Sequence, residues 1–139
     1  MSVLDPKMTR AVDQYIDEQH ERFSDLGKLL FDTFGFDEKN NRIATQVRNL
    51  QQVASSAVRF ADIEDFVKNQ MGKKGNKDWQ RIGDHVLKVL EKLRNQSTEM
   101  TDNPAEAMAV RLRLARGWVR AVVSEYLYQV AQKQMGAAT

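Results

Sequence analysis

The sequence predicts an all-α protein, a single-domain bundle of five to six helices. Three observations carry this. Apolar residues recur at three-four spacing along most of the chain. No segment alternates apolar and polar residues over the length of a strand. Helix-start pairs, Asp5-Pro6 and Asn103-Pro104, open the first and last of these patterns. At 139 residues, one domain covering 1–139 is the expectation, with 1–5 and 133–139 frayed.

The elements follow in order. From Pro6, apolar residues at Met8, Val12, Tyr15, Phe23, Leu26, Leu30 and Phe34 describe one long helix over 6–34. Gln19 interrupts its stripe. Gly27 weakens its interior by about 1 kcal/mol relative to Ala, and Ser24-Asp25 offers a restart. Gly35 fits a C-cap, and Phe36 to Asn41 reads as a connection. A second helix begins near Asn41 and buries Ile43, Val47, Leu50, Ala54 and Ala57. Ser55-Ser56 marks a place where it bends or stops. A third pattern, Phe60, Ile63, Phe66 or Val67, and Met71, ends at Gly72. Asn76 is placed to cap a fourth helix, with Trp79, Ile82, Val86, Val89 or Leu90, and Leu93 inward. Asn95 to Asn103 reads as a polar loop. Asn103, Pro104 and Glu106 then start a last helix with a capping-box pattern. Its stripe of Met108, Leu112, Ala115, Val119, Val122, Tyr126 and Val130 is widened by Val110, Leu114, Trp118 and Ala121. It should be the most buried helix.

Composition excludes several functions. There is no cysteine, hence no disulfide scaffold and no thiolate site, which fits a cytoplasmic location. No apolar run reaches the roughly 18 residues of a membrane span. Asp17 and His20 stand three apart on a helix, but a metal site in a bundle needs such a pair repeated. Ile82 occupies the matching position before His85, the other histidine, so no metal and no cofactor are expected. No Gly-x-Ser-x-Gly turn or serine with an adjacent base is present, so an enzyme is not expected.

Charge is distributed unevenly. Residues 1–41 carry 5 Lys/Arg against 9 Asp/Glu, and residues 42–94 carry 11 against 6. The basic part centres on the turn Met71-Gly72-Lys73-Lys74-Gly75-Asn76-Lys77. Lys68, Lys73, Lys74, Lys77, Arg81, Lys88, Lys92 and Arg94 face only Asp78, Asp84 and Glu91 in that stretch. Such a run suits a surface that tracks phosphates without reading bases. It also suits a solvated helix supported by Asp84 and Lys88 at i,i+4. On the last helix, Arg113, Arg116 and Arg120 fall within an arc of roughly 60° at 100° per residue, and guanidinium forks match phosphate geometry. Charge reversal at Lys73/Lys74 or Arg116/Arg120 is expected to weaken binding and leave the fold intact. Trp79 and Trp118 sit on apolar stripes and read as core anchors.

The chain also resembles a known family. Ala44-Thr45-x-Val47-Arg48-x-Leu50 is followed by an apolar pattern through Phe66 and Gln70. A Gly/Lys turn leads into Trp79-x-x-Ile82-x-x-His85-Val86-Leu87-x-x-Leu90, and the last helix holds Trp118-Val119-Arg120-Ala121. Across roughly residues 43–125 this order resembles the small α-helical subunit of type III CRISPR effector complexes, the Cmr type more than the Csm type. The chain departs from the family at Gln51-Gln52 and Ser55-Ser56-Ala57, where a proline and a small Asn-Gly-Leu-like turn are usual. The resemblance implies a non-catalytic, RNA-binding role in antiviral defence, within a ribonucleoprotein complex. The implied partners are guide RNA and target strand, larger effector subunits and neighbouring copies of itself. The rival reading is a helical protein-interaction or adaptor module with no nucleic-acid contact.

Overall fold

The computed structural model describes residues 4–34 and 42–138. Six helices are present among them, and no strand. They are α1 (Pro6–Glu18), α2 (His20–Phe34), α3 (Arg42–Ser56), α4 (Phe60–Gly72), α5 (Lys77–Met100) and α6 (Pro104–Ala138). The expected Gly35 cap, the Phe36–Asn41 connection, the helix start near Asn41 and the Ile43 side chain lie outside the described residues. Among the described residues no helix is long and apolar enough to cross a membrane.

α6 is the mast of the bundle. It packs against α1, α2, α3, α4 and α5. At 1.5 Å per residue its 35 residues span about 52 Å. Val110, Leu114, Ala115, Trp118, Val119, Val122 and Tyr126 are each 1% exposed or less. Apolar side chains occupy most of its circumference because neighbours stand on most sides. Its start is capped as the sequence indicates. Asn103 Oδ1 accepts from the backbone N–H groups of Ala105 (2.9 Å) and Glu106 (3.1 Å). Met108 breaks the expected stripe and is exposed, because the first turns of α6 stand over an open groove rather than a neighbouring helix. The helix continues to Ala138, with exposed side chains from Ala131 to Gly136.

The expected first helix is two. The break falls at Gln19, the residue that interrupts the apolar stripe, and not at Ser24-Asp25. Asp5 caps α1 through a 2.7 Å bond from the Met8 N–H, and Leu4 packs against the core. Ser24 is instead buried within α2, its hydroxyl donating to the Glu21 carbonyl. Gly27 lets α2 approach α6 closely. A Cβ at that position would meet the Val122 carbonyl oxygen at 2.5 Å.

α3 ends at Ser56, at the predicted weak point. α4 then begins behind Asp62, whose Oδ2 accepts from the N–H groups of Val58 (3.1 Å) and Arg59 (3.0 Å). The α4–α5 turn requires Gly75, which has φ +85°. Asn76 occupies the cap position, but its amide donates to Gln70 Oε1 at 3.1 Å instead of capping. α5 continues through Asn95–Met100, where a loop was expected. The reason is Ser97, fully buried and bonded to the Arg94 carbonyl at 2.6 Å. Tertiary packing overrides the weak helix propensity of Asn-Gln-Ser-Thr.

Both tryptophans are buried core residues. The Trp79 ring stands edge-on to Phe66 at 5.5 Å, and its indole N–H donates to Gln46. Neither is available to stack on a base.

Candidate nucleic-acid interface

The ten cations singled out in the sequence separate into two groups. Lys68 lies on α4, Lys73 and Lys74 sit in the turn, and Lys77, Arg81, Lys88 and Lys92 run along α5. All seven are exposed. On α5, Lys77, Arg81, Lys88 and Lys92 share an arc of about 60°, opposite the arc holding Trp79, Val86 and Leu90. Alternate spacings of four, seven and four residues spread them over about 22 Å of helix. Among the described residues none of the seven has an ion-pair partner. Their stems are long, their charges hydrated, and nothing on the same helix holds them in one rotamer. Asp84 and Glu91 interrupt the stripe without closing a bridge to it.

The α6 arginines are differently placed. All three line one groove with a cavity volume of about 1320 Å³, bounded by α1, the α3–α4 corner and α6. Their common arc is therefore real, but two of the three are engaged. Arg113 forms a two-pronged pair with Asp13 of α1, at 2.7 Å from Nε and 2.9 Å from Nη2. This hydrogen bond holds the Asp13 carboxyl below the ordinary carboxylate range and raises the Arg113 guanidinium. Arg116 donates from Nε to the Ala54 carbonyl (3.0 Å) and from Nη2 to the Ala57 carbonyl (2.6 Å). It thus closes the C-terminal end of α3, where unpaired carbonyls and the negative end of the dipole attract a cation. Arg116 serves as a structural cap, and reversing its charge is expected to destabilise the fold as well as alter binding. Arg120 makes no hydrogen bond among the described residues and is exposed.

Three more arginines line the same groove and were not recognised as a group from sequence: Arg59, Arg94 and Arg111. Arg94 pairs with Glu64 of α4 and lies over the Phe60 ring at 5.5 Å. Arg111 donates from Nε to Ser97 Oγ at 2.7 Å. On a helical wheel Arg111 lies about 200° from Arg113, on the side facing α5, so periodicity alone separates the two. Asp13 was hidden for a similar reason. It belongs to a helix a hundred residues away in the chain, and a wheel drawn for α6 shows only Glu106 near the arginine face.

His20 lines the groove and His85 lies exposed on α5. The only buried side-chain polar atom without a hydrogen bond among the described residues is the Tyr126 hydroxyl, which is raised in pKa by its burial. The groove gathers six arginines, with the Arg113–Asp13 and Arg94–Glu64 pairs inside it. Arrayed cations of this kind can neutralise anions. No protein-family model, curated protein or solved structure matches the chain.

Proposed function

We propose that the chain is a non-catalytic, backbone-binding small subunit of an RNA-guided CRISPR effector ribonucleoprotein. The single observation that carries the binding part is the exposed stripe of Lys68, Lys73, Lys74, Lys77, Arg81, Lys88 and Lys92, free of ion pairs among the described residues. A solvated helix face built for stability alone would place its acids where they close i,i+4 bridges, and Asp84 and Lys88 do not close one. The type III effector assignment is supported by the order of motifs across residues 43–125. In this reading the stripe neutralises the phosphates of a guide–target duplex, and the helical body bridges larger subunits and neighbouring copies, leaving cleavage to them.

The test is titration of a fluorescein-labelled RNA duplex at several salt concentrations. Four to seven phosphate contacts give a log–log slope of about −3 to −6. K73E/K74E and K88E/K92E are each expected to flatten the slope by about two contacts and to leave the circular dichroism spectrum unchanged. A slope near zero, or binding that survives both reversals, removes the nucleic-acid reading. The weight then moves to the adaptor reading, which has its own support in the groove.

A further inference from the structure

We infer that the groove between α1, the α3–α4 corner and α6 docks an acidic protein segment carrying aliphatic anchors. It shares no residue with the basic stripe, so it is a second and separate interface.

Charge complementarity gives the occupant its sign. Of the six arginines that line the groove, Arg94 and Arg113 are answered inside it by Glu64 and Asp13, and Arg59 is bridged to Asp62. Arg111 and Arg116 are hydrogen-bonded only to neutral oxygens, a hydroxyl and two carbonyls, so their charges are held in place but not cancelled. Arg120 is unbonded among the described residues. Against these three stands one lining carboxylate without an ion pair there, Asp17. Each bound guanidinium keeps N–H groups for a further acceptor, and their forks are already oriented by the bonds they make.

Two features choose a protein over a nucleic-acid strand. The first is the lining between the charges. Val58 is 83% exposed and Met108 56% exposed, with Ile16, Ala109 and Leu112 beside them. These are aliphatic and thioether surfaces that accept Leu, Ile or Met side chains. The second is the scarcity of stacking surface. Of the two rings that line the groove, Phe60 is 7% exposed and already covered by Arg94, which leaves the single imidazole of His20. A strand laid here would find phosphate partners but one imidazole, not a row of rings, for its successive bases. The volume of about 1320 Å³ also exceeds the roughly 300–1,000 Å³ of small-molecule pockets, which suits an extended or helical segment.

The probe is a fluorescein-labelled amphipathic peptide of Glu and Leu, about 14 residues or four helical turns long. Two control peptides replace every Glu by Gln or every Leu by Ser. Binding is followed by anisotropy to the wild-type chain and to R120E, V58E/M108E and K88E/K92E. All substituted side chains are exposed, and the circular dichroism spectrum and melting temperature verify folding. Saturable binding is expected, weakened about tenfold, or 1.4 kcal/mol, by R120E, by V58E/M108E and by either control peptide. K88E/K92E leaves it unchanged, so its failure is distinguishable from failure of the RNA-binding reading. No saturable binding, equal binding of the Leu-to-Ser peptide, or binding indifferent to V58E/M108E would each overturn the inference. So would V58E/M108E weakening the RNA duplex in place of the peptide.

Discussion

Gly27 of α2 faces the backbone of α6 at Val122 so closely that a Cβ on Gly27 would stand 2.5 Å from the Val122 carbonyl oxygen. The neighbouring contacts are equally rigid, with Glu125 Cβ at 2.9 Å and Tyr126 N at 3.0 Å. Helix propensity alone would make Gly27→Ala stabilising by about 1 kcal/mol. Because the obstacle is backbone, the opposite sign is expected, a net loss of about 1–3 kcal/mol from forcing α2 away from α6. Urea denaturation of G27A beside wild type measures it. A stabilised G27A would mean that the α2–α6 contact is looser than described.

Arg116 and Arg120 are one turn apart on the same helix and are expected to behave differently. R116A removes two bonds from a charged donor and strands the Ala54 and Ala57 carbonyls at the end of α3. The expected cost is about 2–3 kcal/mol. R120A removes no hydrogen bond among the described residues and should stay within about 0.5 kcal/mol. Parallel chemical denaturation of the two variants is sufficient, and equal stabilities would show that Arg116 is not a cap.

The Arg113–Asp13 pair gives a pH signature. The pair lowers the folded-state pKa of Asp13, so its contribution is present above the unfolded carboxylate value and is lost as pH falls through the depressed folded value. Asp62 behaves alike, its carboxylate being held ionised first by the Arg59 backbone N–H. Both groups are solvent-accessible, so the effect of each is modest and weakens with salt. Melting temperatures recorded from about pH 5 down to about pH 2.5 should fall less steeply for D13N and for D62N than for wild type. Identical pH slopes in all three would show that neither carboxylate is held below its ordinary range.

The cap of α6 tests how much of the mast depends on its first turn. N103A removes the acceptor shared by the Ala105 and Glu106 N–H groups, and should cost about 1 kcal/mol. N103D should retain most of that stability, since a carboxylate serves the same donors and the dipole favours it. Thermal melts of the two variants distinguish a lost cap from a general effect of replacing Asn103.

Much of the architecture was legible in the chain because each helix carries its own stripe. Val47, Leu50 and Ala54 of α3, and Trp79, Val86 and Leu90 of α5, are buried as their spacing indicates. The end of α3 at Ser56 and the start of α6 behind Asn103 follow from local chemistry. What periodicity could not show is long-range partnership. Ser97 sits in a stretch that reads as loop, and only its burial and its bond to Arg111 reveal why α5 continues. Arg113 and Arg116 read as free forks on one face, and it takes α1 and α3, remote in sequence, to engage them. The lysine stripe on α4 and α5 was legible because its residues need no partner to be where they are. The groove was not, since its walls come from several helices.

The central position of α6 sets an order of events during synthesis. The other five helices precede it in the chain, yet all five pack against it. While α1 to α5 emerge from the ribosome, α4 and α5 can close on each other through Phe66 and Trp79, but Leu26 and Leu30 of α2 lack the helix they mainly pack against. Only when Trp118, Val122 and Tyr126 have been added can these side chains leave water together. Part of the apolar surface must therefore stay exposed, or under the cover of a chaperone, until α6 completes the core.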